Sequence, residues 1–214
     1  VTVALEQRVL ARNDDLAAVN REWLAERDVV AVNLMSSPGS GKTTLLERTI
    51  ADLAGDRVVS VVEGDQETSR DADRISAAGC RVVQLNTGTG CHLDAGVVAA
   101  ALRDLAPPPR SVVFVENVGN LVCPALFDLG ERHRVVLTSV TEGEDKPLKY
   151  PHMFSAADVV VLNKTDLLPH LDFEVDTFVR NLAAVNPRAA LLRLSAIRGT
   201  GVDEWTALVR GWVG

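Results

Sequence analysis

Residues 36–44 read Ser-Ser-Pro-Gly-Ser-Gly-Lys-Thr-Thr, and they follow the apolar run Val29–Met35 and open a helix-length stretch. A glycine-rich turn between a buried strand and a helix aims several backbone N–H groups at one point, which suits an anion such as a nucleotide's phosphates. Gly39, Ser40 and Gly41 would line that cradle, Lys42 would reach the β- and γ-phosphates, and the Thr43 hydroxyl, next to Thr44, would ligate Mg²⁺. The usual pattern, Gly-x-x-x-x-Gly-Lys-Ser/Thr, begins here with Ser36, a departure that a small residue can accommodate.

A second polar motif, Asn163-Lys164-Thr165-Asp166, ends the apolar run Ala157–Leu162. A carboxylate can accept from both N1–H and the 2-amino group of guanine, whereas adenine lacks the 2-amino group and has no hydrogen on N1. Asp166 therefore predicts GTP over ATP. Lys164 can lay its stem along the base, Asn163 can tie this loop to the phosphate loop, and Ser195-Ala196 follows the next strand where a backbone N–H would meet the guanine O6. Alone, Asp166 would read equally as a helix cap.

Two carboxylates stand at strand ends, Asp65 after Arg57–Val62 and Glu116 after Ser111–Val115. Ligands of open α/β sheets gather at that edge, so Asp65 and Glu116 are candidates to hold Mg²⁺ or orient the attacking water; carboxylates there also serve simply to solvate loops. Cys91-His92 and Cys123 offer thiolates and an imidazole, donors suited to Zn²⁺ or Ni²⁺ rather than to Mg²⁺. Three ligands leave a four-coordinate site one short, to be filled by water or a second chain. Cys91-His92 is expected at a helix start, which would lower the thiol pKa. Cys80 reads as a buried apolar residue.

These groups need a scaffold. Residues 3–27 predict an amphipathic helix with Val3, Leu5, Val9, Leu10, Leu16, Val19, Trp23 and Leu24 inward, packed on or beside the core. Strands are expected at Val29–Met35, Arg57–Val62, Arg81–Leu85, Ser111–Val115, Arg134–Val140, Ala157–Leu162 and Ala190–Leu194, and helices at Thr43–Leu53, Ser69–Ala78, Leu93–Leu105, Phe173–Val185 and Val202–Val213. Apolar strands alternating with helices predict a single α/β domain over 1–214, its mostly parallel central sheet flanked by helices. A net charge of −7 argues against non-specific nucleic-acid binding. No apolar run approaches the ~20 residues of a membrane span, and three cysteines do not make a disulfide framework. A cytoplasmic location is the expectation.

Taken together, the phosphate loop, Glu63-Gly64-Asp65, Cys91-His92-Leu93, the run from Glu116-Asn117-Val118-Gly119 to Cys123-Pro124, Thr141-Glu142-Gly143 with Lys146–Pro151, and Asn163–Asp166 resemble the HypB family. Its members are GTPases that assist nickel insertion into [NiFe]-hydrogenase. The resemblance, from about residue 30 onward, implies a P-loop NTPase of the SIMIBI G-protein type, a slow GTPase and a GTP-dependent homodimer. The interface would carry Ni²⁺ or Zn²⁺ on Cys91, His92 and Cys123 of each chain. It also implies hydrogenase maturation factors and the large-subunit precursor as partners. Alternatives are a metal carrier in which GTP only locks the dimer, and a urease-type nickel GTPase, whose Cys-Pro-His motif differs from the split Cys-His and Cys-Pro found here.

Overall fold

The computed structural model describes residues 2–65, 70–86, 88 and 92–213, with residues 2–6 and Asp65 described by backbone alone. Helix α1 (Thr2–Glu26) precedes an alternation of β1 (Val29–Ser36), α2 (Lys42–Leu53), β2 (Val59–Asp65), α3 (Arg70–Ala77), β3 (Arg81–Asn86), α4 (Ala95–Leu105) and β4 (Ser111–Glu116). The second half runs β5 (His133–Ser139), α5 (Lys146–Lys149), α6 (Pro151–Ser155), β6 (Val159–Asn163), α7 (Val175–Val185), β7 (Ala190–Arg193) and α8 (Val202–Trp212). Short 3₁₀ turns occupy Cys123–Leu126 and Thr165–His170.

The strands form one sheet in the order β3-β2-β4-β1-β5-β6-β7, with every neighbouring pair parallel. Strands β1, β4 and β6 are buried along their whole length because helices cover both faces, which explains their unbroken apolar character. One face carries a continuous core in which Leu45, Leu46, Ile50 and Leu53 of α2 and Val202, Trp205 and Val209 of α8 meet Val30, Val32, Leu34, Phe114 and Leu137. Trp205 is wholly buried, and its indole N–H donates to Thr49 Oγ1 (2.8 Å), joining α8 to α2 through a satisfied polar tip.

The opposite face is divided. Val29 and Ala31 of β1 belong to a cluster with α4 and Leu24 of α1, whereas Met35 belongs to another with α6 and α7. Between them on the same strand face stands Asn33, wholly buried. It donates to Glu131 Oε1 (3.2 Å) and accepts from Asn117 (3.2 Å), so a polar seam crosses this face beneath residues 117–131.

Several expectations need correction. Strand β2 continues to Asp65, which pairs in register with Asn86, and β4 includes Glu116, so both carboxylates end strands rather than begin loops. Helix α4 starts at Ala95 with Asp94 as its cap, accepting from Val97 N (2.9 Å); Cys91-His92 precedes the helix and does not open it. On α1, Val9, Leu16 and Val19 are exposed, and the inward face is Leu10, Asn13, Ala17, Asn20 and Leu24. The reason is the seat on which the helix lies. Asn13 accepts from Ala95 N (2.9 Å) and donates to Asp128 O (2.8 Å), while Asn20 donates to Ala95 O (2.8 Å) and Leu129 O (3.0 Å). A seat made of backbone polar groups selects amides rather than alkyl groups. Gly130, at φ +89°, belongs to the same seat: a Cβ there would stand 2.6 Å from Ala17 O. The side chains of Val3 and Leu5 lie outside the described residues.

Candidate functional site: a nucleotide cavity and an adjoining metal loop

The carboxyl ends of β1, β4, β6 and β7 surround a cavity of about 410 Å³ lined by Gly39, Gly41, Lys42, Thr43, Thr44, Glu116, Asn163, Lys164, Asp166, Ser195 and Ala196, among others. A smaller cavity of about 250 Å³ continues past Lys42 and Glu116 toward Pro38, Glu63, Asn117 and Gly119. The larger is of the size of a small-molecule site.

The loops are tied directly to one another. Asn163 donates to Ser40 O (2.9 Å) and accepts from Ala196 N (3.1 Å), and the Lys164 ammonium donates to Gly39 O (2.7 Å). Gly41 adopts φ +103°, and a Cβ there would lie 2.5 Å from Asn163 Nδ2, so close approach of the two loops demands glycine. Lys164 itself holds a left-handed backbone, φ +61°, which a lysine adopts only under such constraint. Ser195 Oγ donates to Asp166 Oδ1 (2.5 Å), fixing the carboxylate at the far end of the cavity. Asp166 lies inside the 3₁₀ turn, and Lys164 occupies the cap position, so the helix-cap role is not the one it fills.

At the phosphate end, Lys42 opens α2, and its Nζ donates to Ser36 Oγ (2.9 Å); the residue that departs from the usual loop pattern is the one that holds the lysine. The Ser40 hydroxyl is buried with no protein partner among the described residues, which suits an arriving anion. Thr43 Oγ1 donates to Glu116 Oε1 (3.0 Å), and Glu116 is 3% exposed. Burial pushes its pKa up to about 7, against the opposing pull of Lys42 and the Thr43 hydroxyl. Its second oxygen is buried without a partner among the described residues, an acceptor that fits a hard cation. Glu63 is buried directly across the β2–β4 register from Glu116, so two carboxylates flank this end. The Asp65 side chain lies outside the described residues.

Arg74, Ile197 and Phe127 were not expected from the sequence. Arg74 of α3 lines the cavity beside Thr44 (Nη2 to Oγ1 3.3 Å) while paired with Glu47 (2.6 Å) and Asp71 (3.2 Å), and Ile197, largely exposed, adds an apolar ledge near Asp166. Phe127 stacks on the His92 ring with centroids 3.9 Å apart. Burial lowers the His92 pKa, against the opposing pull of Asp94, which favours the neutral imidazole. Cys123 begins its 3₁₀ turn half-buried, with Asn120 Oδ1 accepting from the N–H groups of Val122 (2.7 Å) and Cys123 (3.3 Å). Cys91 lies outside the described residues, and among those described no three His, Cys, Asp or Glu side chains gather as a metal cluster. Cys80 is buried under β2 with its pKa pushed up to about 11, as expected of an apolar filler.

Residues 30–193 match the family described as CobW/HypB/UreG, nucleotide-binding domain. The chain is 57% identical over 205 residues to the hydrogenase maturation factor HypB of Rhizobium leguminosarum bv. viciae, covering 96% of this chain and 69% of the relative. It belongs to the HypB family. The crystal structure of HypB from Archaeoglobus fulgidus superposes with a TM-score of 0.89 at 39% identity, covering 95% of this chain and all of that one. HypB from Helicobacter pylori in complex with nickel gives 0.86 at 39% identity, covering 92% and 93%. The HypB-family fold is thus the P-loop G domain of the SIMIBI type, as the sequence predicts. No helix among the described residues is long and apolar enough to cross a membrane.

Proposed function

We propose that this chain is a slow GTPase whose nucleotide state times nickel delivery to a [NiFe]-hydrogenase precursor, acting as a homodimer with a metal site at its interface. The observation that carries this reading is the single cavity joining a fixed aspartate, Asp166, to the Lys42–Thr43–Glu116 cluster. In this reading Asp166 accepts from N1–H and the 2-amino group of guanine, and Lys164 and Ile197 flank the base. Lys42 leaves Ser36 for the β- and γ-phosphates. Thr43 and Asp65 would hold Mg²⁺ beside Glu116, whose unmatched oxygen and neighbouring hydroxyl fit a hard cation. Once bound, the ion neutralises charge developing on the transferred phosphoryl group. Asp65 or Glu116 orients the attacking water. No arginine finger is evident from the sequence, so the intrinsic rate should be low.

Cys91, His92 and Cys123 from each protomer would bind the nickel cargo or Zn²⁺, a donor set that fits those metals. Hydrogenase maturation factors and the precursor are the partners in this reading. Metal titration tests it. Cys91→Ser, His92→Ala and Cys123→Ser should each weaken Ni²⁺ or Zn²⁺ binding at least tenfold, and sedimentation should show the GTP-analogue form as a dimer. Normal affinity in all three variants would overturn the ligand set. Hydrolysis of ATP as fast as GTP would overturn the nucleotide.

A further inference from the structure

Two buried amides are absent from the lining of the larger cavity. Asn33, wholly buried in the central strand, and Asn117, 1% exposed, each carry an amide whose burial is costly unless every donor and acceptor is matched. They match each other and three further elements. Asn117 Nδ2 donates to Asn33 Oδ1 (3.2 Å), and Asn117 Oδ1 accepts from Leu93 N (3.3 Å) and Val118 N (3.0 Å). Asn33 Nδ2 donates to Glu131 Oε1 (3.2 Å), an oxygen that also takes Arg134 Nε (2.7 Å), while Glu131 Oε2 takes Leu129 N (2.7 Å).

This wiring has a definite geography. Residues 117 and 131 bound the segment that carries Cys123 and Phe127, and both are pinned to one side chain of β1. The Asn117 amide also reaches sideways to the backbone of Leu93, the residue after His92, whose ring stacks on Phe127. On its other side Asn117 is joined by one peptide bond to Glu116, whose carboxylate touches Thr43 at the phosphate end. The chain of contacts from the phosphate end to His92 is therefore two residues and one hydrogen bond long.

We propose that Asn117 is a positioning residue that couples Glu116 to the metal loop, through its hydrogen bond to the Leu93 N–H and with Asn33 as the fixed reference. This rests on the metal reading above and assigns its coupling to one side chain. Rotation of the Glu116–Asn117 peptide when a γ-phosphate and cation engage the carboxylate changes the amide's hold on Leu93, and His92 moves with it. A rigid anchor is required for such a lever, and Asn33 supplies one because it sits in the central, fully buried strand and is itself held by Glu131. The two ends of one hydrogen-bonded element are biased by two ligands, which is the physical requirement for coupling between sites.

Amide hydrogen exchange at Leu93, measured by NMR without added metal, tests this directly. In the native sequence, Leu93 protection should differ at least tenfold between the GDP form and a non-hydrolysable GTP-analogue form. Asn117→Ala should remove that difference. In the same variant, the ratio of Ni²⁺ affinities between the two nucleotide forms should fall to within twofold of unity. Equal Leu93 protection in the two forms of the native sequence, or a difference that survives Asn117→Ala, overturns the proposal. The native-sequence comparison needs no variant, so it stands even where Asn117→Ala does not fold. Nickel binding indifferent to His92→Ala would sink the metal reading alone, and the Leu93 measurement would still decide the role of Asn117.

Discussion

The base end and the metal end of the site are built on different principles. At the base end, Asn163, Lys164, Asp166 and Ser195 are already fixed by bonds of 2.5–2.9 Å to one another's loops, and glycine at 41 lets those loops touch. At the metal end, His92 rests against Phe127, Cys123 sits in a turn shaped by Asn120, and the connection to the nucleotide passes through one amide. The first is preorganised, so binding energy is not consumed in ordering it. The second is poised to be completed. In the reading proposed above, the difference separates selectivity from regulation: base choice would belong to the preorganised loops, and metal binding would follow the nucleotide state.

The comparison breaks most visibly at the base end. Asp166→Asn removes a carboxylate acceptor for two guanine donors, and hydrogen bonds to a charged group contribute about 1.5–3 kcal/mol each. GTP affinity should fall at least about a hundredfold. Xanthosine triphosphate, with a carbonyl where guanine has its amino group, should gain; fluorescence competition reads both, and unchanged GTP affinity would mean Asp166 does not read the base. At the metal end, Asn20→Ala strips a donor from the carbonyls of Ala95 and Leu129, which anchor α4 and the metal segment to α1. The expected loss is about 1–3 kcal/mol of stability, seen as a melting point lower by about 2–4 °C per kcal/mol, with GDP affinity nearly unchanged. A parallel loss of GDP affinity would show that the two ends are not separately built.

A smaller effect follows from pH. Glu116 has its pKa raised from 4.5 to about 7 by burial, so the fold keeps a proton that the unfolded chain releases. That contribution is complete below about pH 4.5 and is lost as pH rises through about 7. Glu116→Gln should therefore gain stability relative to the unaltered protein between pH 5 and pH 8 in thermal melts; a pH-independent difference would refute the assignment. The least effect is expected at Cys80, whose thiol is pushed up to about 11. It should resist alkylation at pH 8 in the native state, and Cys80→Ser should leave metal affinity unchanged.

Much of the base end was legible because its chemistry lies in contiguous motifs: Ser36–Thr44, Asn163–Asp166 and Ser195-Ala196 each name their own partners. The parallel sheet was legible too, since strands covered on both faces are uniformly apolar. What was not legible depends on tertiary seats. The inward face of α1 follows amides at 13 and 20 rather than the exposed Val9, Leu16 and Val19, because its seat is made of backbone groups that no local pattern reveals. Strand ends at Asp65 and Glu116 extend past their apolar runs because the neighbouring strands offer ladder partners. Asn33 carried a signal that went unused: one amide inside the apolar run Val29–Met35 marks a place where the core must hold a polar partner. Phe127, far from His92 in sequence, carried none.

The contact between Lys42 and Ser36 has a further consequence, for discrimination among anions. An empty phosphate loop with an unengaged ammonium would attract any passing phosphate or sulfate. Here one of the ammonium's three donors is directed to the Ser36 hydroxyl, so in the proposed reading a ligand that draws Lys42 away must offset that bond, at the same cost to a small ion as to a whole nucleotide. Only a ligand that also reaches Asp166 recovers the loss, because its second contact is made at the high effective concentration set by the first. In that reading the serine that weakens the loop's likeness to its usual pattern would act as a filter on ligand length, favouring molecules that span the cavity over those that fill one end.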